Sequence, residues 1–380
     1  MRLVSLRAEN YRNIRAAQLL PGRELTVICG NNGQGKTNLL EAVWLLTGGK
    51  SFRGGKDAEL IRRGAPFAVL EAVTRQDDGT EREIRITIGG PDSEKPGRRA
   101  RVNGVDRGRA SVLAGSFPAV VFDPGHLSLV KGSPDGRRRF LDAALCQLYP
   151  GYLTEYRRYL RVMAQKNALL KHWAESAGAP DILEALNREM AARGEALQAR
   201  RRQYLALLAP FAVDNYARLS HGAEELALSY QAVFEPGQLA ARMAAGRDKE
   251  IRAGMCLYGP HREDLEITLD GHSARVYASQ GQQRSAVLSL KLAEAACVRE
   301  ITGEWPVMLL DDVLSELDDS RKAYLLTRMR EKQTFVTSCD DADFLKTDGV
   351  ICRMAGGVLT MAENGAAAAE AKPAAQPFSP

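Results

Sequence analysis

VICGNNGQGKTNLLEA, residues 27–42, joins a short apolar run to a glycine-rich loop and a helical pattern. The apolar run Leu25–Cys29 predicts a buried strand. Residues 30–37 have the spacing G-x-x-x-x-G-K-T, and the apolar residues that follow repeat as they do in an amphipathic helix. A strand, this loop and a helix in that order are typical of a phosphate-binding loop, which predicts an α/β fold that binds a nucleotide.

The residue types of this loop have chemical reasons. Glycines let backbone N–H groups turn toward phosphate oxygens, and the N-terminus of the following helix attracts the same anion. Lys36 is expected to reach the β- and γ-phosphates and to act in catalysis, and the Thr37 hydroxyl is expected to bind Mg²⁺. The alternative is a glycine turn before a helix, without a ligand. The expected nucleotide-binding residues are Gly30, Asn31, Asn32, Gly33, Gln34, Gly35, Lys36, Thr37 and Asn38.

A second apolar run, VMLLDDVLSELD at residues 307–318, leads into two aspartates. Asp311, at the expected carboxyl end of a strand, is placed to hold Mg²⁺ through water. Asp312 is placed to orient or deprotonate the attacking water. Most ATPases of this type have a glutamate at the second position. Because aspartate is one methylene shorter, we expect slow hydrolysis.

Residues 277–298, YASQGQQRSAVLSLKLAEAACV, predict a long amphipathic helix. Ser279, Gly281 and Gln282 at its start resemble the signature motif of ABC-type ATPases, and SELD at residues 315–318 matches the D-loop position. In that family the signature motif caps the γ-phosphate held by a second subunit. The resemblance implies an ATP-dependent homodimer with two ATP molecules between the chains. An isolated serine here would instead be a helix N-cap without a further role.

Composition limits the class of protein. The chain has 380 residues, enough for two or three domains, and a formal net charge of only +5. It contains no apolar stretch of membrane-spanning length and no signal-like start, so we expect a cytoplasmic protein. The six cysteines include no C-x-x-C pair that would suggest a metal or redox centre.

Arginines occur in four short runs, which together favour a nucleic-acid partner over a merely solvated surface. The DNA-binding candidates are Arg137, Arg138, Arg139, Arg200, Arg201 and Arg202. The other two runs comprise Arg98, Arg99 and Arg101, and Arg157, Arg158 and Arg161.

The order of strand and helix patterns predicts four segments. They are an N-terminal part of an ATPase head (1–129), a helical arm (130–225), a C-terminal part of the head (226–363) and a disordered Ala- and Pro-rich tail (364–380). Two hairpins are predicted, with turns at Asp77-Asp78-Gly79 and at Asp270-Gly271. The last strand is expected at Thr334–Ser338.

Lys36 and Ser279 are 243 residues apart, farther than in ABC transporters, which favours the SMC-like branch with its inserted helical arm. Within that branch the chain resembles the RecF family of bacterial recombination mediators over residues 1 to about 360. The matching segments, in order, are LRAENYRNI, GNNGQGKTNLLEAVWLLTGGKSFRGGKDAELIRRGA, RVNGV, VVFDPGHLSLVKGSPDGRRRFLD, YGPHREDLEI, SQGQQRSAVLSLKLAE and LLDDVLSELD. The chain departs from the family at Gly125, where glutamate is usual, and at Leu186 and Asn187, where Trp-Asp is common.

The resemblance implies an SMC-like, ABC-type α/β ATPase head that uses ATP and Mg²⁺. It also implies an ATP-dependent dimer that binds gapped DNA and single-strand/double-strand junctions and helps RecR and RecO to load RecA. Weak, DNA-stimulated hydrolysis would reset this clamp. The alternative is another SMC-like head that acts as a DNA-processing motor or a structural clamp. The sequence shows no helicase-type motif and no nuclease-like acid cluster, which favours the switch.

Two further sites leave alternatives open. Arg53 is implied by the resemblance to reach the nucleotide, but it could be an ordinary surface arginine. His261, Arg262 and Asp264 could do metal or acid–base work, although a hydrogen-bonded turn is the preferred interpretation.

Overall fold

The structure is a computed structural model that describes residues 1–330, 332–339 and 349–361. The chain divides into two compact units. The first comprises Met1–Val112, Val307–Glu316 and the chain from Met329 onward, and the second comprises Leu113–Pro306 and Leu317–Arg328. The predicted arm and the helix that follows Ser279 therefore belong to the same unit. The division into head and arm at residues 130 and 225 stays a prediction.

The strands and helices have these bounds. The strands are β1 (Arg2–Tyr11), β2 (Ile14–Leu19), β3 (Leu25–Cys29), β4 (Phe67–Arg75), β5 (Glu81–Gly89), β6 (Gly97–Val102), β7 (Val105–Arg109), β8 (Ala119–Phe122), β9 (Leu226–Gln231), β10 (Asp264–Leu269), β11 (His272–Ser273), β12 (Val307–Leu310), β13 (Thr334–Ser338), β14 (Val350–Ala355) and β15 (Val358–Met361). The helices are α1 (Lys36–Leu45), α2 (Ser128–Lys131), α3 (Pro134–Leu148), α4 (Tyr152–Lys171), α5 (Ala179–Leu219), α6 (Leu239–Ala245), α7 (Arg247–Ala253), α8 (Ala274–Tyr277), α9 (Gln280–Thr302) and α10 (Asp319–Met329).

An antiparallel sheet of the first unit has the strand order β2-β1-β4-β5-β6-β7. The predicted hairpin is confirmed, since β4 pairs antiparallel with β5 along its whole length. Strand β5 alternates strictly, with Ile84, Ile86 and Ile88 buried and the residues between them exposed. This period of two places one face of the sheet in the core and the other in solvent.

A second sheet contains β3, the strand that leads into the phosphate-binding loop. In the first unit its strands have the order β15-β14-β3-β13-β12. Strand β3 pairs in parallel with β13 on one side and with β14 on the other. Both flanks of β3 are therefore occupied, and its five residues are almost wholly buried. The loop at residues 30–37 leaves the carboxyl end of this strand, where ligands of open parallel sheets bind.

The helix after the loop differs from its predicted amphipathic pattern. Eight of the ten residues of α1 are buried, and they include Lys36 and Glu41. A helix that is buried on most of its surface has no single apolar stripe. The periodicity of the sequence therefore predicted an exposed face that α1 does not have. Burial also fixes the position of its N-terminal turn.

The second unit is built mainly from helices. Helices α3, α4 and α5 lie within the predicted helical arm (130–225), and α5 runs for 41 residues with Pro210 inside it. The second predicted hairpin is also present, since Leu269 of β10 pairs with His272 of β11. Strand β11 has only two residues, because helix α8 begins at Ala274.

The C-terminal region of the first unit contains more strands than expected. The prediction that Thr334–Ser338 is the last strand is wrong, because β14 and β15 follow it. These two strands have only six and four residues and carry a weak alternating signal in the sequence. The predicted tail at 364–380 lies outside the described residues. None of the helices in the described ranges combines the length and the apolar character that crossing a membrane requires.

Candidate nucleotide site and candidate nucleic-acid interface

The glycines of the loop at residues 30–37 have conformations that side chains rarely adopt. The φ angles are +152° at Gly30, +79° at Gly33 and +114° at Gly35. A Cβ at Gly30 would lie 2.3 Å from the carbonyl oxygen of Met354, whereas a Cβ at Gly33 would meet nothing within 4 Å. The loop is therefore closely packed at its start and open in its middle, where a ligand can approach the backbone.

Lys36 is held at the centre of this loop. Its side chain is buried, and its ammonium donates to the carbonyl oxygens of Gly30 and of Asn31, the latter at 3.1 Å. Cys339 Sγ, at the end of β13, lies 3.5 Å from the same nitrogen and 3.2 Å from Asn32 Oδ1. Carbonyl oxygens are weaker partners for an ammonium than phosphate oxygens, so this arrangement presents Lys36 for exchange onto an anion.

The structure brings together Thr37 and Asp311, the two residues predicted to hold Mg²⁺. The Thr37 hydroxyl donates to Asp311 Oδ1 at 2.9 Å. Thr337, on the neighbouring strand β13, donates to the same carboxylate oxygen at 2.8 Å. A hydroxyl and a carboxylate are the hard oxygen donors that Mg²⁺ prefers, so these residues fit that ion.

Asp312 has a left-handed backbone, with φ of +51°, a conformation that aspartate tolerates better than most residues. Its N–H donates to the Thr337 hydroxyl at 2.9 Å, and the Ser315 hydroxyl donates to its carbonyl oxygen at 2.8 Å. Thr337 therefore fixes both acids at once. The sequence analysis did not identify this role of Thr337, which lies inside the predicted strand Thr334–Ser338.

A buried acid behind the loop was also missed. Glu41 on α1 is fully buried, and it accepts hydrogen bonds from the Tyr11 hydroxyl at 2.7 Å and from two nitrogens of Arg12 at 2.9 Å. Burial alone would raise the pKa of Glu41, but hydrogen bonds from Arg12, Ser51 and Tyr11 hold this pKa below its usual value. The signal was present in the sequence as one acid inside the apolar helix LLEAVWLL.

Asn13 connects Arg53 to the loop. Asn13 Nδ2 donates to the Gly33 carbonyl oxygen at 3.3 Å, and its Oδ1 accepts from Asn38 at 2.8 Å. Arg53 in turn donates to Asn38 Oδ1 at 2.7 Å. Arg53 is exposed, so both interpretations of this residue stay open.

Ser279 is the N-cap of α9. Its hydroxyl accepts from the Gln282 N–H at 3.3 Å, and its own N–H donates to Gln282 Oε1 at 2.6 Å, which forms a capping box. Gln282 also donates to Glu224 at 2.6 Å. Ser279 is therefore a helix N-cap within its own chain. The role of Ser279, Gly281 and Gln282 toward a second chain stays a prediction.

Two of the six arginines predicted to contact DNA are buried, and that part of the prediction is wrong. Arg137 donates through two nitrogens to Asp264, each at 2.7 Å, and Arg201 does the same with Asp142 at 2.8 Å. The Arg137 guanidinium also donates to the carbonyl oxygens of Leu129 and Gly132, and that of Arg201 donates to the carbonyl oxygen of Pro260. A buried arginine whose guanidinium already has its hydrogen-bond partners is not available to a phosphate.

The other four predicted arginines lie nearer the surface of the second unit. Arg138 donates to the Glu263 carbonyl oxygen at 2.6 Å, and Arg139 is exposed. Arg200 lies 5.1 Å from the Tyr149 ring centre, and Arg202 lies 5.8 Å from that of Tyr230. Their contact with DNA stays a prediction.

His261 belongs to a hydrogen-bonded turn, as preferred over metal or acid–base work. Its Nε2 donates to the Cys256 carbonyl oxygen at 3.3 Å, so Nδ1 accepts from the Tyr159 hydroxyl at 2.6 Å. Burial lowers the pKa of His261 to about 4, and the nearby charge of Arg262 acts in the same direction. In the described part of the chain, no group of three or more His, Cys, Asp or Glu residues could hold a metal ion.

Sequence comparisons identify the family to which the chain belongs. The family described as "RecF/RecN/SMC N terminal domain" matches residues 2–356. The DNA replication and repair protein RecF of Heliobacterium modesticaldum is 39% identical over 350 residues, covering 89% of this chain and 92% of that protein. The RecF of Geobacillus kaustophilus is 37% identical over 351 residues, with the same coverage of both chains.

Structural comparisons agree with the sequence comparisons. A solved structure described as the recombination mediator protein RecF-ATP in the RecFOR pathway superposes with a TM-score of 0.87 at 31% identity, covering 95% of this chain and 97% of that one. An Smc head domain from Pyrococcus furiosus, at 17% identity and a TM-score of 0.56, shares the fold alone. The chain has the SMC-like ABC ATPase fold and belongs to the RecF family of DNA replication and repair proteins.

Proposed function

We propose that this protein is an ATP-dependent DNA-binding switch of recombinational repair and replication restart, which acts in the cytoplasm. The observation that carries the proposal is the contact of Thr37 with Asp311, which joins the two halves of a nucleotide site. The names of the relatives, DNA replication and repair protein RecF and RecF-ATP in the RecFOR pathway, support the same function.

In this proposal the residues of the site have distinct tasks. Lys36 turns from its carbonyl partners to the β- and γ-phosphates. Thr37 and Asp311 would hold Mg²⁺, which would supply positive charge beside the phosphate oxygens. Asp312, oriented through Thr337, accepts a proton from the attacking water. Its short side chain makes hydrolysis slow, so the ATP-bound state persists.

Dimerisation turns this site into a clamp. Ser279 and Gly281, at the N-terminus of α9, would face the γ-phosphate of the second copy, where a helix N-terminus favours an anion. A nucleotide that binds the dimer better than the monomer shifts the population toward the dimer. Hydrolysis removes that preference and releases DNA. RecR, RecO and RecA are the protein partners of this proposal, in which the protein helps load RecA at gapped DNA and at single-strand/double-strand junctions.

A surface of the first unit supports DNA binding better than the buried arginines do. On the solvent face of the antiparallel sheet, Arg85 lies directly opposite Arg101, and Arg99 lies directly opposite Arg109. Like charges opposite each other on neighbouring strands are destabilising. We call these four residues the arginine face.

Acids offset the arginine face only in part. Arg85 pairs with Glu71 at 2.9 Å, and Arg99 pairs with Asp106 at 3.4 Å. A sheet that carries such repulsion suits an anionic partner that removes it. The phosphate backbone of DNA supplies that charge at regular spacing, and such contacts position a protein without reading sequence.

The test of the proposal measures nucleotide binding and dimerisation together. The full chain is titrated with a fluorescent ATP analogue with and without Mg²⁺, and its mass is followed by light scattering. We expect Mg²⁺-dependent binding, lost in Lys36→Ala, and an ATP-dependent rise from monomer to dimer, lost in Ser279→Arg. A monomer at saturating ATP would contradict the clamp, and absence of nucleotide binding would contradict the whole proposal.

A further inference from the structure

Gln34 in the phosphate-binding loop is bonded to a hairpin turn formed far along the chain. Its side-chain Oε1 accepts from the Gly356 N–H at 2.5 Å, and its carbonyl oxygen accepts from the Gly357 N–H at 3.0 Å. Gly356 and Gly357 are the two-residue turn between β14 and β15, with φ of +56° and +78°. Two consecutive positive φ angles are typical of the tight turns that join strands.

The same hairpin packs closely on the residues around the loop. A Cβ at Gly357 would lie 2.3 Å from the Asn13 carbonyl oxygen, and a Cβ at Gly30 would lie 2.3 Å from the Met354 carbonyl oxygen. Met354 lies on β14, next to the turn, and Asn13 donates to the Gly33 carbonyl oxygen. The loop is therefore held on two sides by backbone, and its N–H groups have little freedom to reorient.

The phosphate-binding motif does not specify the residue at position 34. The side-chain hydrogen bond between Gln34 and the β14–β15 turn is therefore a contact that the motif itself does not require. Any residue at that position supplies a backbone carbonyl oxygen, but few side chains place a second acceptor on the neighbouring N–H of the same turn. The two acceptors of Gln34 bond two consecutive N–H groups, which fixes the orientation of the peptide as well as its distance.

We propose that the β14–β15 turn is a positioning element of the nucleotide site, and that Gln34 is the positioning residue through which it acts. The turn holds the loop in its phosphate-binding form before a nucleotide arrives, so less ordering remains to be done on binding. This inference rests on the proposed function and adds a regulatory consequence. A change at the C-terminal hairpin alters nucleotide affinity without touching the nucleotide.

The test replaces the side-chain acceptor and, separately, perturbs the turn. Gln34→Met keeps the length of the side chain and removes its acceptor, and Gly357→Ala places a Cβ against the Asn13 carbonyl oxygen. We expect Gln34→Met to raise the KM for ATP and the Kd for both ATP and ADP by about three- to tenfold, the range of one net hydrogen bond.

The matched control is Gly104→Ala in the turn between β6 and β7. Gly104 also has a positive φ, +77°, and its Cβ would meet nothing within 4 Å. The Gly104→Ala change introduces the same kind of backbone strain away from the loop. The nucleotide affinity of this variant should therefore equal that of the wild type. Thermal unfolding without nucleotide reports whether each variant is folded.

The outcomes separate the inference from the proposed function. Weaker nucleotide binding by a folded Gln34→Met protein, with wild-type binding by Gly104→Ala, supports the inference. The same loss of nucleotide binding in Gly357→Ala strengthens it. If Gly357→Ala does not fold, the Gln34→Met result decides. Wild-type affinity in a folded Gln34→Met protein would overturn the inference and leave the proposed function standing. No nucleotide binding by the wild type would overturn both.

Discussion

Thr37 and Asp311 lie 274 positions apart in the sequence, and the hydroxyl of one donates to the carboxylate of the other at 2.9 Å. The contact forms because β3 and β12 both flank β13, which carries Thr337 between them. The loop after β3 and the acid after β12 then meet at one edge of the sheet. The chemistry of the site depends on this parallel arrangement.

Thr337→Val should impair nucleotide chemistry without unfolding the protein. Valine has the shape of threonine but removes the donor to Asp311 and the acceptor for the Asp312 N–H. Without these contacts the Asp311 carboxylate and the Asp312 backbone lose the group that positions them. We therefore expect the ATPase kcat to fall by at least about tenfold. Thr334→Val, at the other end of β13, is the control and should retain activity. Equal rates in both variants would contradict the orienting role of Thr337.

Asp312→Glu should raise the steady-state ATPase rate, and Asp312→Asn should abolish it. Glutamate extends the carboxylate by one methylene toward the water, and asparagine cannot accept the proton. Phosphate release measured under saturating ATP and DNA compares the three proteins. An Asp312→Glu rate at or below that of the wild type would show that the short acid does not limit hydrolysis.

Arg101→Thr should stabilise the protein and weaken its binding to DNA. The change removes the repulsion with Arg85 and introduces a residue that favours strands, which we expect to add a few tenths to about 1 kcal/mol of stability. The loss of a phosphate contact should reduce the slope of log K against log salt by about 1.

The control for the arginine face is Arg82→Thr, which removes the same charge at a position on β5 opposite Thr74. Arg82 lies on the face of β5 that carries the buried isoleucines, so the change should leave the salt slope as it is. Unchanged DNA binding in Arg101→Thr would remove the arginine face from the proposed interface.

Arg201→Met should destabilise the protein strongly. It leaves the buried carboxylate of Asp142 without its two guanidinium bonds, and breaking a buried pair in this way costs about 3–5 kcal/mol. Urea unfolding compares this variant with Arg200→Met, whose arginine is exposed and should cost less than about 1 kcal/mol. Similar stabilities would mean that Arg201 is not a structural residue.

Stability should fall as the pH falls from about 6.5 toward 4, in part because of His261. Its pKa is about 4 in the folded protein and near 6.5 when unfolded, so the unfolded state binds the proton first in this window. Neutral His261 therefore contributes stability that is fully present above pH 6.5 and is lost on acidification. His261→Gln should flatten this part of the urea-unfolding profile, and an unchanged profile would contradict the buried neutral state.

Much of the geometry of the candidate site could be predicted because its signals are local in the sequence. The spacing around Lys36 and the apolar run before Asp311 each predict one half of a nucleotide site, and the structure brings Thr37 and Asp311 into contact. The failures have a common physical cause. In the sequence, Arg137 and Arg201 resemble ordinary surface charges. The acids that pair with them, Asp264 and Asp142, are far away along the chain, so the sequence does not reveal the pairs.

Other elements could not be predicted for related reasons. The burial of α1 depends on what packs around it, and an apolar helix with one acid does not reveal that Arg12 will pair with Glu41. The hairpin β14–β15 follows a stretch without a clear pattern, and its short strands carry a weak alternating signal. Its contact with Gln34 is tertiary and has no sequence signature.

The most direct test of the clamp is the fluorescence anisotropy of a labelled gapped duplex titrated with the Asp312→Asn protein, with and without ATP, at one stated salt concentration. Ser279→Arg in the same background blocks the shared site, and Ser229→Arg adds the same charge at an exposed strand position. We expect tight binding only with ATP, with this binding lost in Ser279→Arg and kept in Ser229→Arg. Equal binding with and without ATP in all three proteins would contradict it.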